Sequence, residues 1–520
     1  MKLAEKPEPE SDAVVSQDEI LRLTEVLERI ASDPGFIAHL SKEDWVRFKM
    51  AAGRVVYPDK REIERRNKVL RRSRHLAKKN KDRAVRAATE IRTARKESVF
   101  VPPPPKLLGA AAEETLEDIV GVLQKPRGCY VCKEEFTRLH FFYDAMCPPC
   151  ARFNYAKRIQ TARLDGQVAV ITGARLKIGY QAALMMLRAG ARVIVTTRFP
   201  QDAAVRYARE TDFESWKDRL QIYGLDLRHS PSVEIFTRHL DRTLDRLDIL
   251  INNAAQTVRR PAGFYAHLMA TENLPHAQLP EKAQGVLKNY EQCKAALAAA
   301  PGTMWLSEWH AGKSNPSLGL TASAALSQIP YKCDEGVVAA EHFPEGKLDA
   351  DLQQVDLRGM NSWRMTLADV PTAEMLEVQL VNAVAPFVLC AKLKPLMMRD
   401  RFNQKHIVNV SAMEGKFNRH TKTDKHPHTN MAKASLNMMT LTSARDYAKS
   451  GIYMNAVDTG WVTDEDPAAI SARKEAEHDF QPPLDIVDGA ARVVDPIFSG
   501  ILTGEPSWGN FLKDYLPTSW

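Results

Sequence analysis

One stretch narrows the possible folds more than any other: GQVAVITGARLKIGYQAALMMLRAGARVIVTTR, residues 166–198. Val168 to Ile171 is a short, continuous apolar run, the pattern of a strand buried on both faces. Gly173 permits a tight turn after it, and Gly179 lets the following helix pack closely. The segment ending in VTTR reads as a second strand. Strand, turn, helix and strand in that order form a βαβ unit, which demands a parallel sheet and a right-handed crossover. The helix N-terminus after the turn offers unpaired N–H groups and a positive dipole end, a seat for phosphate.

From about Leu164 onward, strand-like and helix-like segments alternate to the end of the sequence. The expected fold class is therefore α/β, a doubly wound parallel-sheet Rossmann fold. Three regions are expected. Residues 1–105 form a helical, basic extension, and 106–160 hold a helix and a four-cysteine module. Residues 161–520 form the Rossmann domain, with a large insertion at about 256–362. A length of 520 residues suits two or three domains, and 44% hydrophobic content can support a large core.

The net charge of +7 is unevenly spread. Residues 51–100 carry 17 Lys/Arg against 6 Asp/Glu, a local charge of +11. Elsewhere lie 55 of the 72 basic residues and 59 of the 65 acidic ones, a balance of −4. Residues 1–16 are polar and read as disordered. Helical spacing of Ile20, Leu21, Leu23, Val26, Leu27 and Ile30 predicts one helix, and a second is expected over Lys42 to Gly53. The basic stretch from Lys60 lacks Gly and Pro and predicts a long helix. It can be a solvated face packed on a protein partner or on the chain itself, or a surface for nucleic-acid phosphates. No base-reading motif accompanies it, and it lacks the aromatic or leucine-rich face of a membrane-surface helix. VPPPP at 101–105 is a stiff break, and EETLEDIVGVL after it reads as a short helix. The acidic N-terminus has no apolar signal core, and no apolar run near eighteen residues is evident, so no membrane attachment and a cytoplasmic setting are expected.

Seven cysteines in a chain this long do not make a disulfide scaffold. Four of them are paired: Cys129-x2-Cys132, then fourteen residues, then Cys147-x2-Cys150. Two such thiolate knuckles complete a tetrahedral, closed site, so structural zinc is expected. A rubredoxin-like iron or a redox dithiol are the weaker alternatives. Phe136, Phe141, Phe142 and Tyr143 are the expected small core of this module, which resembles zinc ribbons and treble clefs.

The body resembles the short-chain dehydrogenase/reductase family, whose glycine turn reads TGxxxGxG. Thr172, Gly173, Ile178 and Gly179 match, while Lys177 stands at the middle glycine, where it either crowds a dinucleotide or adds charge to its phosphates. Further matches follow in family order. LQIYGLDLR resembles the third strand, with Asp226 and Leu227 at the adenine position. LDILINNAA resembles the fourth strand and its NNAG signature, with Asn253, Ala254 and Ala255. VQLVNAVAPFVL places Asn382 on the asparagine of the catalytic tetrad. HIVNVSAMEG resembles the serine-bearing strand, and GIYMNAVDTGWVTDE the sixth strand, with Asn455, Thr459 and Gly460 and with Thr463 or Asp464 at the nicotinamide amide. The resemblance covers roughly 164–255 and 363–512. It implies an oxidoreductase that binds NADP(H), because Thr197 and Arg198 end the second strand where an acidic residue would select NAD. Arg175 in the turn is a second cation.

The family's proton chemistry uses a tyrosine four residues before a lysine, with a serine and an asparagine. Lys433 and Asn382 match. The serine falls on Ala412, with Ser411 one residue before it. Thr429 holds the tyrosine's place, and an alcohol is a far weaker acid than a phenol. Substitutes are His426 and His428, either a general acid near neutrality, or Tyr265 from the insertion. His426 is seven residues before Lys433, the spacing of the family's enoyl reductases. Two functions remain open: a reductase with an altered proton donor, or a non-catalytic NADP(H)-binding sensor or scaffold acting through a protein or nucleic-acid partner. The insertion follows the end of a central strand, where it can roof the site, touch substrate or mediate a homo-oligomer. Its Trp305 and Trp309 read as core.

Overall fold

The strand at Val168–Thr172 is buried along its whole length, and around it the α/β body is built. The structure is a computed structural model and describes residues 15–104, 118–299, 315–400, 404–418 and 421–520. Residues 1–14 and the two tryptophans at 305 and 309 lie outside those described. The chain divides into two compact units, one ending at Asn80 and the other beginning at Lys81.

The first unit is helical: α1 (Gln17–Ser32), α2 (Lys42–Val56) and most of α3 (Lys60–Ala87). Ser16 and Glu19 form a reciprocal capping box at the start of α1, which satisfies two orphan N–H groups. Ser41 caps α2 through the Asp44 N–H. Arg66 on α3 donates to the carbonyls of Arg54 and Val55 at the end of α2, where unpaired carbonyls need donors. Neither α1 nor α2 buries a residue, and the apolar stripe Ile20, Leu21, Leu23, Val26 and Leu27 is exposed.

The second unit starts in the last turns of α3. Buried Asp82 accepts the backbone N–H groups of Gln124 and Lys125, at 2.6 and 3.2 Å. The extension therefore ends near 80, not near 105. A short α4 (Glu90–Ala94) follows. Of the helix expected at EETLEDIVGVL, the described part is a strand instead. Residues 105–117 lie outside those described, and Ile119–Gly128 is a strand, β1, paired antiparallel with β2 (Glu135–His140). Ile119, Val122 and Leu123 mimic helical spacing, but β-branched residues and a partner strand decide the outcome. The cysteine module is completed by α5 (Pro148–Ile159).

Then come β3 (Val168–Thr172), α6 (Lys177–Arg188), β4 (Arg192–Thr197), α7 (Pro200–Tyr207), β5 (Leu220–Gly224), α8 (Ser230–Thr243) and β6 (Ile249–Asn252). The insertion carries α9 (Ala266–Glu272), α10 (Glu281–Ala299), α11 (Leu318–Thr321) and α12 (Ala339–His342). The body resumes with α13 (Thr372–Gln379), α14 (Ala385–Met397), β7 (Lys405–Ser411), α15 (Pro427–Ala448), β8 (Ile452–Asp458), α16 (Ala468–His478), α17 (Ile486–Thr503), β9 (Phe511–Lys513) and β10 (Leu516–Thr518). Among the described residues the sheet has eight strands in the order β10-β9-β8-β7-β6-β3-β4-β5, parallel except for β10. The order reverses between β3 and β6, the place where open α/β sheets bind ligands.

The stretch Thr372–Met397 is long and apolar enough to cross a membrane by length and composition, contrary to the sequence reading. Leu389, Cys390, Leu393, Leu396 and Met397 are buried in the core around the sheet, which accounts for much of its apolar character. The insertion does more than roof a site. Its α10 packs along β5, and the Tyr290 hydroxyl donates to Leu320 O beneath that edge strand.

Candidate cofactor and active-site cleft

A cavity of about 1120 Å³ opens at the C-terminal ends of β3 to β8. Its floor is the turn after β3. Gly173 has φ +68°, and a Cβ there would sit 2.8 Å from the Ala254 Cα. A Cβ at Gly179 would collide with the Asn253 amide and the Gly173 carbonyl. Lys177 keeps the left-handed conformation that glycine favours, at φ +54°. Its Nζ lies 3.7 Å from Asp351 of the insertion.

The expected cofactor residues are brought together here, with different partners from those the sequence implied. Gly173, Arg175, Lys177, Ile178, Gly179, Arg198, Asp226, Leu227, Asn253, Ala254 and Thr463 all line the cleft. Arg198 donates to the Tyr265 hydroxyl at 2.7 Å and lies over that ring, 4.7 Å from its centre. No carboxylate pairs with it among the described residues. Arg175, in contrast, is neutralised by Asp202 at 2.7 Å. Asp226 is fully buried and engaged by the Arg228 guanidinium and backbone N–H, and Arg228 also reaches Glu377. Burial opposes the Asp226 charge, but these contacts win and hold its pKa below the usual range. The Asn253 amide clamps the carbonyls of Thr172 and Gly173. The Thr463 hydroxyl donates to Glu465.

At the other end, Lys433 on α15 is buried and donates to Val410 O at 2.8 Å. Burial pulls its pKa down to about 8, with Glu414 and Asp458 partly holding the charge. Ser411 donates to the Asn437 amide oxygen at 2.5 Å. Asn382 sits on a π-helical turn within α13–α14 and donates to the carbonyls of Gln256 and Val378, leaving its buried Oδ1 without a partner among the described residues. Thr429 is not among the residues facing the cleft. It is buried, and its hydroxyl donates to Thr257 O at 3.3 Å. Thr429 and Lys433 are four residues apart and so lie on one face of α15, but the short threonine side chain ends at the Thr257 carbonyl. His428 also points inward, with both ring nitrogens unpartnered, and burial lowers its pKa to about 4. His426 lines the cleft. It caps α15 in a left-handed conformation, φ 42°, stacks on Trp363 with ring centres 3.9 Å apart, and has Nδ1 3.0 Å from Trp363 O. A carbonyl only accepts, so Nδ1 carries the hydrogen in this contact.

The four expected ligands Cys129, Cys132, Cys147 and Cys150 place their Sγ atoms within 4.8 Å of one another. The Cys132–Cys147 pair is 3.6 Å apart. A tetrahedral zinc with bonds of about 2.3 Å would separate its sulfurs by about 3.8 Å, so the donor set fits that ion. The Cys147 N–H points at Cys129 Sγ at 3.3 Å. Burial raises the Cys129 pKa, but backbone N–H groups of Cys147, Cys132 and Val131 outweigh it and bring the thiol to about 7.

A family model described as short chain dehydrogenase matches residues 167–272, and one described as Enoyl-(Acyl carrier protein) reductase matches 339–484. The chain belongs to the short-chain dehydrogenase family. An uncharacterized protein of Acanthamoeba polyphaga mimivirus is 30% identical over 399 residues, 74% of each chain. Human dehydrogenase/reductase SDR family member 13 is 36% identical over 116 residues, and mouse retinol dehydrogenase 13 is 34% identical over 94. These cover 22% and 18% of this chain, and the matches span only 28% of either relative. NADPH-bound carbonyl reductase from chicken fatty liver is 16% identical, covers 70% of this chain and 98% of its own, with a TM-score of 0.41.

Sequence reasoning missed several groups of this short-chain dehydrogenase cleft. Arg228 and Asp458 stand next to recognised motifs and carried a weak signal. Trp363 and Tyr130, and the Asp351 that pairs with the cleft's Lys177, carried none, because the insertion, the residue just after it and the cysteine module lie outside the motif order.

Proposed function

We propose that this chain is an NADP(H)-dependent oxidoreductase in which His426 takes the place of the family tyrosine. One observation carries the reading: His426 and Lys433 face the same cleft from the same helix, while Thr429 turns to Thr257. Seven residues give roughly 10 Å of rise between them, room for reacting groups to lie across the helix. Lys433 would hold the nicotinamide ribose. Arg198 suits a 2′-phosphate, the α6 N-terminus with Lys177 a pyrophosphate, and Thr463 an amide. When bound, the nicotinamide supplies or accepts hydride. His426 gives or takes the proton, and Trp363 fixes its ring. The retinol dehydrogenase relative supports an alcohol or carbonyl substrate.

A sensor or scaffold that binds NADP(H) without turnover is favoured by one fact: the Ser411 hydroxyl is committed to Asn437. Calorimetric titration with NADP(H) and NAD(H), then a panel of ketones, aldehydes, enones and alcohols, separates the two. NADP(H) preference with hydride transfer supports the enzyme. Binding without transfer to any substrate supports the sensor. Equal affinity for both cofactors refutes the role given to Arg198.

The four cysteines are proposed to hold structural zinc. The exposed cationic face of α3, with Lys68, Arg71, Arg72 and Lys79 on one side, is proposed to bind nucleic-acid phosphates. Affinity that does not fall with added salt would rule this out. Leu376, Val384, Phe387, Met431, Met438 and Leu441 expose an apolar surface on α13–α15, and a homo-oligomer is proposed to cover it. A monomer by light scattering would refute that.

A further inference from the structure

The cysteine module reaches into the cleft. Tyr130, on the knuckle between Cys129 and Cys132, is one of the residues lining the cavity, and so is Lys133. The Tyr130 hydroxyl accepts the backbone N–H of Trp461 at 3.0 Å. Trp461 belongs to the loop that follows β8, whose residues Asp458 to Asp466 form one wall of the cleft. Gly460 in that loop has φ +75°. A Cβ there would lie 3.1 Å from the Tyr130 hydroxyl and would collide with Leu484. The loop is therefore pressed directly against the phenol.

The knuckle is held in its turn. Cys129 N–H donates to Glu134 O, and Tyr130 N–H donates to Ala145 O, both at 2.8 Å. Lys133 adopts φ +71°, and its ammonium donates to the Tyr130 carbonyl. The apolar core of the module does not stop at its own strands. Val462 and Leu484 are buried within it, and Ile178 from the start of α6 packs against it. A Cβ on Gly489 would sit 2.8 Å from Ile178 Cγ1 and 3.1 Å from Val462 Cγ2, so the two cofactor loops meet above this core. Polar ties complete the attachment. Arg95 donates to the carbonyls of Pro482 and Leu484, Arg158 pairs with Asp485 and Asp488, and the Tyr143 hydroxyl donates to Asp488.

We propose that Tyr130 is a positioning residue of the cofactor cleft, its hydroxyl fixing the loop after β8 and the four-cysteine metal site fixing Tyr130. This rests on the readings of the cleft as an NADP(H) site and of the cysteines as a zinc site. The metal would thereby act on cofactor affinity from outside the cleft. Metal ligation adds a further constraint to a short knuckle that carries a left-handed lysine.

The test uses the full chain and three readouts: zinc content by elemental analysis, NADPH affinity, and the blue shift of NADPH fluorescence on binding. Tyr130→Phe removes one hydroxyl and leaves the ring and every cysteine. It should keep about one zinc per chain and nearly the parent melting temperature. It should bind NADPH about 3- to 10-fold more weakly, the range of one neutral hydrogen bond, with a smaller blue shift. Chelating the parent's zinc should weaken NADPH at least as much, and added zinc should restore it. Chelation should cost Tyr130→Phe less than it costs the parent, since the two changes act through one contact. A parent that binds NADPH and zinc, with Tyr130→Phe indistinguishable from it, overturns the positioning role alone. A parent that binds NADPH but no zinc overturns the metal half, while Tyr130→Phe still decides the hydroxyl. A parent that binds no NADPH overturns the cofactor reading and this proposal with it.

Discussion

One departure from the family pattern at each end of the cleft, Lys177 and Thr429, shows two different responses. At the cofactor end, Lys177 replaces a glycine yet keeps its left-handed backbone and its place in the cleft wall. At the other end, Thr429 replaces a tyrosine, is buried, and spends its hydroxyl on the carbonyl of Thr257, a residue of the cleft wall. A glycine's task is conformational, and another residue can perform it at about 1–2 kcal/mol. Asp351 of the insertion meets the lysine's charge. A phenol's task is chemical and depends on reach and acidity. A threonine supplies neither, so its hydroxyl is spent on a local carbonyl. The histidine one turn earlier is left facing the space.

The largest expected effect tests that replacement. In a reductase assay His426→Ala should lower kcat by about 10²- to 10⁴-fold, the range of a lost general acid, with NADPH affinity close to the parent's. Thr429→Val should keep most of the turnover. If the two variants exchange these phenotypes, the threonine is the essential hydroxyl and the contrast between the two ends collapses.

Next in size is the cofactor end. Arg198→Ala should weaken NADPH by about 1.5–3 kcal/mol, the worth of a charge-assisted contact, and leave NADH unchanged. Arg175→Ala should not reproduce this selectivity, because Arg175 is already neutralised by Asp202. A loss shared equally by both cofactors would show that Arg198 supports the fold and not the phosphate.

Lys433 gives a pH test of intermediate size. Its pKa is lowered from 10.5 to about 8, chiefly by burial. Between those values the unfolded chain holds a proton that the folded chain has released. Stability therefore rises with pH across that window, and the cost of burying the charge is fully present below about 8. Cofactor affinity should move the other way, falling as the ammonium is lost above about 8. Calorimetric titration across pH would show it, and an affinity that is flat through the window would remove Lys433 from the binding contacts.

The smallest effect concerns the strained turn. Lys177→Gly should relieve the left-handed backbone and raise stability by about 1–2 kcal/mol, less whatever the Asp351 pair contributes. Thermal melting measures it. A lower melting temperature would mean that the lysine–aspartate pair outweighs the strain.

Much of the body was legible because its signals are local. The apolar run at Val168–Ile171, the glycines at 173 and 179 and the spacing of the four cysteines each depend on neighbours in the chain. The strand β1 was misread because Ile119, Val122 and Leu123 satisfy helical spacing, and only pairing with β2 settles the period. The end of the extension was misplaced because Asp82 finds its backbone partners some forty residues further along.

The sequence by itself determined the parallel α/β body, the glycine turn after β3, the cation at Arg198, the lysine at 433 and the loss of the tyrosine. Each of these is a residue type at a fixed offset from a strand or a turn. Only the tertiary structure decided which side chains face the cleft. His428 turns inward while His426, two residues earlier, lines the cleft, and the buried Thr429 hydroxyl goes to the Thr257 carbonyl. Tyr130 joins the cleft from 331 residues away, Asp351 reaches Lys177 from the insertion, and Asp202 takes Arg175. The physical reason is common to all three: charge and hydrogen-bond pairing act over a few ångströms in space, whatever the separation along the chain.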